Sequence, residues 1–478
     1  MQTRNLVNGA WVSARSGAEL DVTDPATDEV VARVPSVGVE ETRAAIDAAS
    51  AALPAWREAP ALERARVLRK LSDLMLERRE PLAELVTREQ GKPLAEARTE
   101  IAYAASFVEW AAEEAKRVYG EIIPSSHRDR RILVLRRAVG VTACITPWNF
   151  PAAMITRKLG PALATGCTMI VKPAIQTPLT ALALAELAVE AGVPSGVMNV
   201  VTGDAELISG ELLSNPAVRK LSFTGSTEVG RILMARAANN LTRLSLELGG
   251  HAPFIVFGDA DLDAAVRGAI ASKFRNAGQT CIASNRFLVH EDLQQEFVAR
   301  MKTALESLKI GSGRDEGVEI GPLIDDAALE KVERHVADAR DKGARLITGG
   351  ERVAPRSGLT RRFYRPTLLD GVNERMLLDV EETFGPVVPV RSFRDDEEAI
   401  AIANASPYGL AAYFYTRDAA RVFRVAERLD YGVIGANDGA PSTAQAPFGG
   451  MKASGFGREG GHHVMHEYVD VKYVSVGV

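Results

Sequence analysis

One cysteine differs from the others by its surroundings, in the stretch 274–281, which reads FRNAGQTC. Gly, Gln and Asn favour a loop, so we expect the thiol of Cys281 to be accessible to a reactant. Upstream, Glu247 begins the turn 247–250, where a carboxylate can act as a base toward water. Together they indicate a thiol nucleophile that forms an acyl-enzyme and a carboxylate that helps to hydrolyse it.

The bulk properties narrow the class of protein. The chain has 478 residues, enough for two or three domains with separate cores. It is 46% hydrophobic and 25% charged, and its net charge of -5 gives no reason to expect nucleic acid or membrane binding. No signal peptide and no run of about 18 to 20 apolar residues is recognisable. Three cysteines do not form a disulfide framework, so we expect a cytoplasmic protein.

Hydrophobic periodicity divides the chain into helical and alternating regions. Residues 40–118 carry apolar side chains at three- and four-residue spacing, which predicts amphipathic helices. Residues 119–140 have an extended pattern, and so does the tail 468–476. The first of these stretches could form a ribbon that pairs with a partner subunit.

Between 141 and 247, continuous apolar strands alternate with helices. The predicted strands are 141–145, 168–171, 198–202, 220–223 and 243–247, and the predicted helices are 152–165, 179–191, 204–213 and 227–239. This alternation is typical of a doubly wound parallel sheet, which binds dinucleotides at the carboxyl ends of its strands. A second α/β unit follows from about 251 to 450, with strands 254–257 and 411–416 and helices 261–273, 326–342 and 418–429.

Three segments at predicted strand ends carry polar side chains. Gly225 and Ser226 stand where a strand gives way to a helix, whose free amides attract phosphate, although a Ser-capped helix explains them equally well. Lys172 could reach a ribose or a 2′-phosphate, or be a solvated lysine. Asn149 lies between two prolines and could donate to an oxyanion on a carbonyl attacked by Cys281, or be a turn asparagine.

Taken in order along the chain, these motifs resemble the aldehyde dehydrogenase superfamily over essentially the whole length. The motifs are PWNFP at 147–151, VKP at 171–173, FTGS at 223–226, LELGG at 246–250, NAGQTC at 276–281, EETFGP at 381–386 and PFGG at 447–450. The strings AAMITRK at 152–158 and SKFRN at 272–276 are similar to the succinate-semialdehyde dehydrogenase branch.

The resemblance implies an α/β fold with three parts. A doubly wound, parallel-sheet cofactor domain would comprise residues 1–120 and 139–250, and an α/β catalytic domain residues 251–450. A small bridging β-sheet would comprise residues 121–138 and 467–478. The resemblance also implies a homodimer or homotetramer.

It further implies roles for individual residues. Cys281 would attack the aldehyde, Asn149 would help to hold the oxyanion, and Glu247 would activate water for deacylation. The cofactor, NAD or NADP, would be bound by Trp148, Lys172, Gly225, Ser226, Glu382 and Phe384. No metal is implied, and we expect His462, His463 and His466 to form a surface tail, because their H-H-x-x-H spacing lacks the glutamate of a zinc-protease helix.

The branch resemblance implies an anionic substrate, with succinate semialdehyde as the leading candidate. Arg157, Arg275 and Ser442 would bind its far carboxylate, and a planar guanidinium suits a carboxylate or a sulfonate. Two structural arginines in ion pairs are the alternative. The loop 438–445 diverges from the branch, so sulfolactaldehyde or glutarate semialdehyde stays open as the substrate.

The sequence also leaves alternatives open for the cofactor preference and for the reaction class. Ile175 stands where relatives often have a glutamate that favours NAD or a serine that can meet a 2′-phosphate, so use of both cofactors is slightly favoured. A second interpretation is a CoA-acylating enzyme, in which coenzyme A rather than water releases the acyl group, and the presence of Glu247 argues against it. A catalytically silent binding or structural protein on this scaffold is the third.

Overall fold

The computed structural model describes residues 1–478. Its strands, numbered β1 to β24 in chain order, are Asn5–Val7, Ala10–Val12, Glu19–Thr23, Val30–Pro35, Glu121–Ile123, Arg130–Ala138, Val141–Ile145, Thr168–Lys172, Met198–Val200, Val218–Thr224, Arg243–Glu247, Ala252–Val256, Ser284–His290, Arg345–Thr348, Arg352–Val353, Phe363–Tyr364, Thr367–Asp370, Val387–Phe393, Tyr408–Gly409, Ala411–Tyr415, Val433–Ala436, Met451–Lys452, Gly455–Phe456 and Val469–Gly477.

The α-helices, numbered α1 to α15, are Val39–Glu58, Ala61–Glu77, Arg79–Gln90, Leu94–Glu114, Ala153–Thr165, Pro178–Ala191, Ala205–Ser214, Thr227–Ala237, Leu262–Phe274, Gln294–Ser307, Asp326–Asp341, Leu377–Val380, Asp396–Asn404, Ala419–Arg428 and His463–His466. Four short 3₁₀ turns join them, at Ala115–Arg117, Ala238–Asn240, Arg275–Gly278 and Glu291–Leu293. None of the helices is both long and apolar enough to cross a membrane.

The first large sheet has eight strands in the order β2-β1-β9-β8-β7-β10-β11-β23. Its five strands from β9 to β11 are parallel, and they are flanked by the antiparallel strands β1 and β23. The order reverses between β7 and β10, which is the switch point at which such sheets bind ligands. The prediction of a doubly wound parallel sheet is therefore confirmed, and the strands β7 and β11 begin and end where the sequence indicated.

The second sheet has seven strands in the order β14-β17-β18-β13-β12-β20-β21, and only β14 runs antiparallel. The predicted strands near 254 and 411 lie side by side as β12 and β20. Two central strands, β13 and β18, were not predicted. Four further strands precede residue 39, in a part of the chain where no element was predicted.

A third, three-stranded sheet joins the two extended stretches of the chain. The last strand, β24, pairs antiparallel with β6 from Val469 opposite Ala138 to Gly477 opposite Arg130, and β5 pairs with the other edge of β6. Apolar side chains are exposed on this sheet, among them Ile122 and Tyr473. An exposed apolar sheet of this kind is typical of a contact surface.

Two helix-interior glycines differ in the space around them. A Cβ at Gly268 in α9 would lie 1.8 Å from Oη of Tyr415, a buried side chain of strand β20, whereas a Cβ at Gly210 in α7 would meet nothing within 4 Å. Helix α9 can therefore approach its sheet closely only because residue 268 lacks a side chain.

We predict opposite effects of alanine at these two positions. Gly268→Ala overpacks the contact with Tyr415 and should destabilise the protein by about 1–3 kcal/mol. Gly210→Ala should stabilise it by roughly 0.5–1 kcal/mol, because alanine is the better helix former. Thermal unfolding midpoints of both variants and the parent check this. A Gly268→Ala midpoint at or above that of the parent would contradict the packing argument.

Candidate active site

The cysteine predicted as nucleophile follows a turn in an unusual backbone conformation. Helix α9 ends at Phe274, and Asn276 and Ala277 then adopt φ of 54°, followed by Gly278 at 80°. Left-handed backbone costs roughly 1–2 kcal/mol for each non-glycine residue, so neighbouring groups must hold the turn. Glu96 accepts a hydrogen bond from the Asn276 backbone N–H at 2.7 Å.

Gln279 fixes the other side of the same turn. Its side-chain amide donates to the carbonyls of Asn276 and Pro322 at 3.1 and 3.3 Å, and its oxygen accepts from the N–H of Ile324 at 2.9 Å. A Cβ at Gly278 would lie 2.3 Å from the carbonyl oxygen of Gly385. The cysteine turn therefore touches the segment that carries Glu382 and Phe384.

Cys281 differs from the other two cysteines in its exposure. Cys144 and Cys167 are fully buried, whereas Cys281 is half-buried and lines a cavity of about 380 Å³. Burial of its sulfur nevertheless raises the pKa of the Cys281 thiol to about 12, and the positive charge of Arg157 opposes that rise. The group therefore rests as a thiol, and a base must remove its proton before it can attack.

Glu247 ends strand β11 and is 3% exposed. Neither of its carboxylate oxygens has a hydrogen-bond partner. Burial raises the pKa of Glu247 well above its usual range, and the nearby charge of Glu459 raises it further. A buried carboxyl group without partners is costly in a folded protein, so its retention points to a chemical task.

Asn149 lies in the loop after strand β7, and its side chain has donor capacity to spare. One amide hydrogen of Nδ2 is donated to the carbonyl of Gln279 at 3.0 Å, while Oδ1 has no partner. The backbone N–H of Cys281 is likewise not donated within the chain. An N–H of the Asn149 side chain and the backbone N–H of Cys281 are thus both free. An oxyanion on a carbonyl attacked by Cys281 needs two such donors.

The cavity beside Cys281 lies at the switch point of the first sheet. Seven residues singled out from the sequence line it: Trp148, Asn149, Gly225, Ser226, Cys281, Glu382 and Phe384. Glu382 accepts a hydrogen bond from the N–H of Gly250 at 3.2 Å, and burial raises its pKa to about 7. Phe384 has φ of 57° and meets Trp148 edge-to-face, with ring centroids 5.7 Å apart.

The groups at the sheet edge fit a dinucleotide. Ser226 caps helix α8 by accepting from the N–H of Val229 at 3.3 Å, and the first turn of a helix leaves further N–H groups free for phosphate. A Cβ at Gly225 would clash with the ring of Phe223 at 2.4 Å. Lys172, at the end of β8, is 3% exposed and donates no hydrogen bond, and burial lowers its pKa to about 8.

Two arginines with different partners lie near Cys281. Arg157 is buried, forms an ion pair with Glu459 at 3.4 Å, and donates to Ser442 at 3.1 Å and to the hydroxyl of Tyr103. Arg275 forms no ion pair and donates no hydrogen bond, and its guanidinium lies 4.9 Å from the ring centroid of Phe150. The free guanidinium is therefore that of Arg275.

Several residues around the site were not identified from the sequence. Tyr103 bonds Arg157 and Ser442, while Lys158 is buried and bonds Thr224 and Glu459. One signal was available for Lys158, because Arg157 and Lys158 are the only charged residues in the apolar helix α5. Tyr103 and Glu459 lie far from these residues in the sequence, and no local pattern marks them.

The histidines near the carboxyl terminus stay at the surface. His462, His463 and His466 are exposed, and His466 lies 3.4 Å from a guanidinium nitrogen of Arg136. Across the chain, no group of three or more His, Cys, Asp or Glu side chains is arranged to hold a metal ion.

The sequence is similar to those of known semialdehyde dehydrogenases. It is 57% identical to the NADP(+)-dependent succinate-semialdehyde dehydrogenase GabD of Escherichia coli (strain K12) over 473 residues, which is 99% of this chain and 97% of the relative. It is also 57% identical to the glutarate-semialdehyde dehydrogenase of Pseudomonas aeruginosa over 471 residues, 98% of this chain and 97% of the relative.

The fold is similar to that of a solved dehydrogenase structure. The crystal structure of succinate-semialdehyde dehydrogenase from Burkholderia pseudomallei superposes with a TM-score of 0.98 at 54% identity, covering 99% of this chain and 98% of that one. The family model described as the aldehyde dehydrogenase family matches residues 11–474. This chain therefore belongs to the aldehyde dehydrogenase family.

Proposed function

We propose that this chain oxidises an anionic aldehyde to the corresponding acid with NAD or NADP, and that succinate semialdehyde is its substrate. The observation that carries the choice of an anionic substrate is the guanidinium of Arg275, which lacks an ion-pair partner and lies in the segment that leads to Cys281. Relatives named for succinate and glutarate semialdehyde support the same class.

The proposed reaction begins with the transfer of the Cys281 thiol proton to Glu247, whose carboxylate oxygens are free. The sulfur then forms a bond to the aldehyde carbon, and the oxyanion accepts hydrogen bonds from Nδ2 of Asn149 and the backbone N–H of Cys281. A bound nicotinamide dinucleotide would supply the acceptor for the hydride that leaves this carbon, so that a thioester on Cys281 results.

Deacylation needs a carboxylate and a water molecule. Glu247 first releases to solvent the proton that it took from Cys281, and then takes a proton from water as the new C–O bond forms. The C–S bond breaks, and the departing sulfur takes that proton from Glu247, which releases the acid and restores the Cys281 thiol. This role for Glu247 argues against coenzyme A as the acyl acceptor, and assays with and without coenzyme A separate the two.

The residues proposed to hold the dinucleotide are those that the sequence indicated. Lys172 would contact the adenosine ribose, Gly225 and Ser226 a phosphate, and Trp148 would line the cleft. Glu382 and Phe384 would position the nicotinamide ribose and ring. Ile175, exposed beside Lys172, brings no carboxylate to repel a 2′-phosphate, so we propose that both cofactors are used.

We also propose a cytoplasmic homodimer or homotetramer, in keeping with three unpaired cysteines. Helix α8 exposes the apolar side chains of Val229, Ile232 and Met234, and Leu241 follows with 86% exposure. Several exposed apolar side chains on one helix favour its burial against a second copy. The division into domains at 1–120 with 139–250, 251–450 and 121–138 with 467–478 agrees with the three main sheets and is proposed on that basis.

The substrate proposal predicts a selective loss in Arg275→Ala. Removal of the free guanidinium should raise KM for succinate semialdehyde tenfold or more, about 1.4 kcal/mol, and should spare uncharged aldehydes. Steady-state kinetics with carboxylated, sulfonated and neutral aldehydes and each cofactor measure this. Arg300→Ala, which removes a half-buried guanidinium paired with Asp263 and Glu296, is the control and should change neither KM. Equal losses on charged and neutral aldehydes would refute the role of Arg275.

A second prediction concerns pH. Glu247 works as a carboxylate, so turnover should fall as pH drops through its raised pKa. Glu459→Gln removes a neighbouring negative charge and should lower the Glu247 pKa, which moves the acid limb of the kcat profile to lower pH by about half to one unit. Glu467→Gln, beside Lys220, is the control and should leave the limb in place. A limb that stays fixed or moves upward in Glu459→Gln would count against this assignment.

A third prediction concerns assembly. Ile232→Asp places a charge on the exposed face of α8 and should convert the assembly to monomers or smaller oligomers. Phe423→Asp changes an exposed apolar residue outside that face and should leave the mass unchanged. Light scattering after size-exclusion chromatography measures both variants. A monomeric parent, or an Ile232→Asp protein of parental mass, would show that α8 is not the interface.

A further inference from the structure

A fully buried ion pair lies behind the proposed oxyanion donor. The side chain of Lys92 is completely buried, and its Nζ donates to Oε2 of Glu100 at 2.6 Å and to the main-chain carbonyl of Asn149 at 2.7 Å. The ring centroid of Phe150 lies 3.8 Å from the same nitrogen. Neither Lys92 nor Glu100 lines the cavity beside Cys281.

The carbonyl oxygen of Asn149 connects three segments of the chain through hydrogen bonds. Besides Lys92, it accepts a hydrogen bond from Nδ2 of Asn276 at 3.0 Å. Asn276 is itself oriented by Gln90, which donates to its Oδ1 at 2.9 Å, and by Glu96, which accepts from its N–H. The segment 90–100 therefore touches both the loop that carries Asn149 and the turn that leads to Cys281.

Glu100 fixes the other end of the Asn149 loop. Its Oε1 accepts from the N–H groups of Ala152 and Ala153 at 2.9 and 3.3 Å, where helix α5 begins. These amides would otherwise lack partners at the helix start. The Lys92–Glu100 pair thus holds the backbone at both Asn149 and Ala153. The segment that carries the Asn149 side chain therefore has little freedom to move.

Stability alone does not explain this ion pair. Desolvation of two buried charges is so unfavourable that apolar replacements of similar volume are often neutral or stabilising. The reaction rate is sensitive to the position of a catalytic donor, since a misplacement of about 1 Å can slow a reaction roughly a hundredfold. The contacts of Lys92 with the Asn149 carbonyl therefore suit the positioning of a catalytic donor better than they suit stabilisation.

We propose that Lys92 is a positioning residue, which acts with Glu100 to hold the amide of Asn149 where it can meet the oxyanion formed at Cys281. The inference rests on the proposed function, because it presupposes attack by Cys281. It differs from the anion-binding role of Arg275 in one respect: an oxyanion forms on every aldehyde, charged or not.

The test is Lys92→Met, which keeps much of the side-chain volume and removes the charge. We expect kcat to fall about 10- to 100-fold for succinate semialdehyde and for an uncharged aldehyde alike, with KM for the dinucleotide within about threefold of the parent. A deuterium isotope effect with aldehyde labelled at C1 should appear or grow, because a poorly held oxyanion slows the loss of hydride from C1, which is the step that breaks the C–H bond.

Lys220→Met is the matched control. Lys220 is also a fully buried lysine, paired with Glu467 at 3.5 Å, but it contacts none of the site residues. Its replacement should lower the thermal midpoint and leave kcat within about threefold of the parent. A folded Lys92→Met protein with parental kcat, or an equal loss of kcat in Lys220→Met, would overturn the positioning role.

A second variant keeps the proposal testable if Lys92→Met does not fold. Glu100→Gln retains an acceptor for the helix amides and loses the ion pair, and we expect a loss of kcat of about threefold to tenfold on both aldehydes. Parental kcat in Glu100→Gln would then decide against the proposal. A parent protein that oxidises no aldehyde in the panel would instead refute the proposed function itself.

Discussion

The arrangement of this site depends on the close contact of two backbone turns. The turn before Cys281 passes through left-handed conformations at Asn276, Ala277 and Gly278, and it approaches Gly385 so closely that Gly278 has no room for a side chain. Such a backbone is stable only where surrounding groups determine it. Those groups come from the segment 90–100 and from Gln279, so the position of the sulfur is set partly by side chains remote in sequence.

Burial shifts the pKa values of the ionisable groups at this site. The thiol of Cys281 and the carboxyl groups of Glu247 and Glu382 all have pKa values raised by burial, while burial lowers the pKa of Lys172. The shifts favour the uncharged form of each group, so the thiol of Cys281 stays protonated until a base acts on it. Charges nearby divide into two kinds. Arg157 and Lys158 are neutralised by Glu459, and Arg275 is left without a partner.

The two sheets explain how such groups come together. Parallel strands direct their carboxyl ends to one edge, so Ile145 ends opposite Lys172, and Thr224 ends opposite Glu247 on the two strands beside them. The segments that follow them supply Asn149, Ser226 and the turn after Glu247. The turn that carries Cys281 comes from the second α/β unit and faces this edge, which places the nucleophile at the mouth of the proposed cofactor cleft.

The amino-acid sequence by itself determined the pieces with local signals. The alternation of apolar strands and helices from 141 to 247 predicted the doubly wound sheet, because strand and helix periodicities are read over short windows. The motifs marked Cys281, Glu247 and Asn149 by residue type. Local patterns failed for the central strands β13 and β18 and for the strands before residue 39, which the sequence left unassigned.

Only the tertiary structure decided which charges are paired and which are free. Arg157 and Arg275 look alike in sequence, yet one is neutralised by Glu459 and the other is not, since partners separated by some 300 positions meet only in the folded chain. The same is true of Lys92, whose contact with Asn149 spans 57 positions. Long-range contacts of this kind leave no periodicity in the sequence, so the support behind a catalytic loop becomes visible only once the chain is folded.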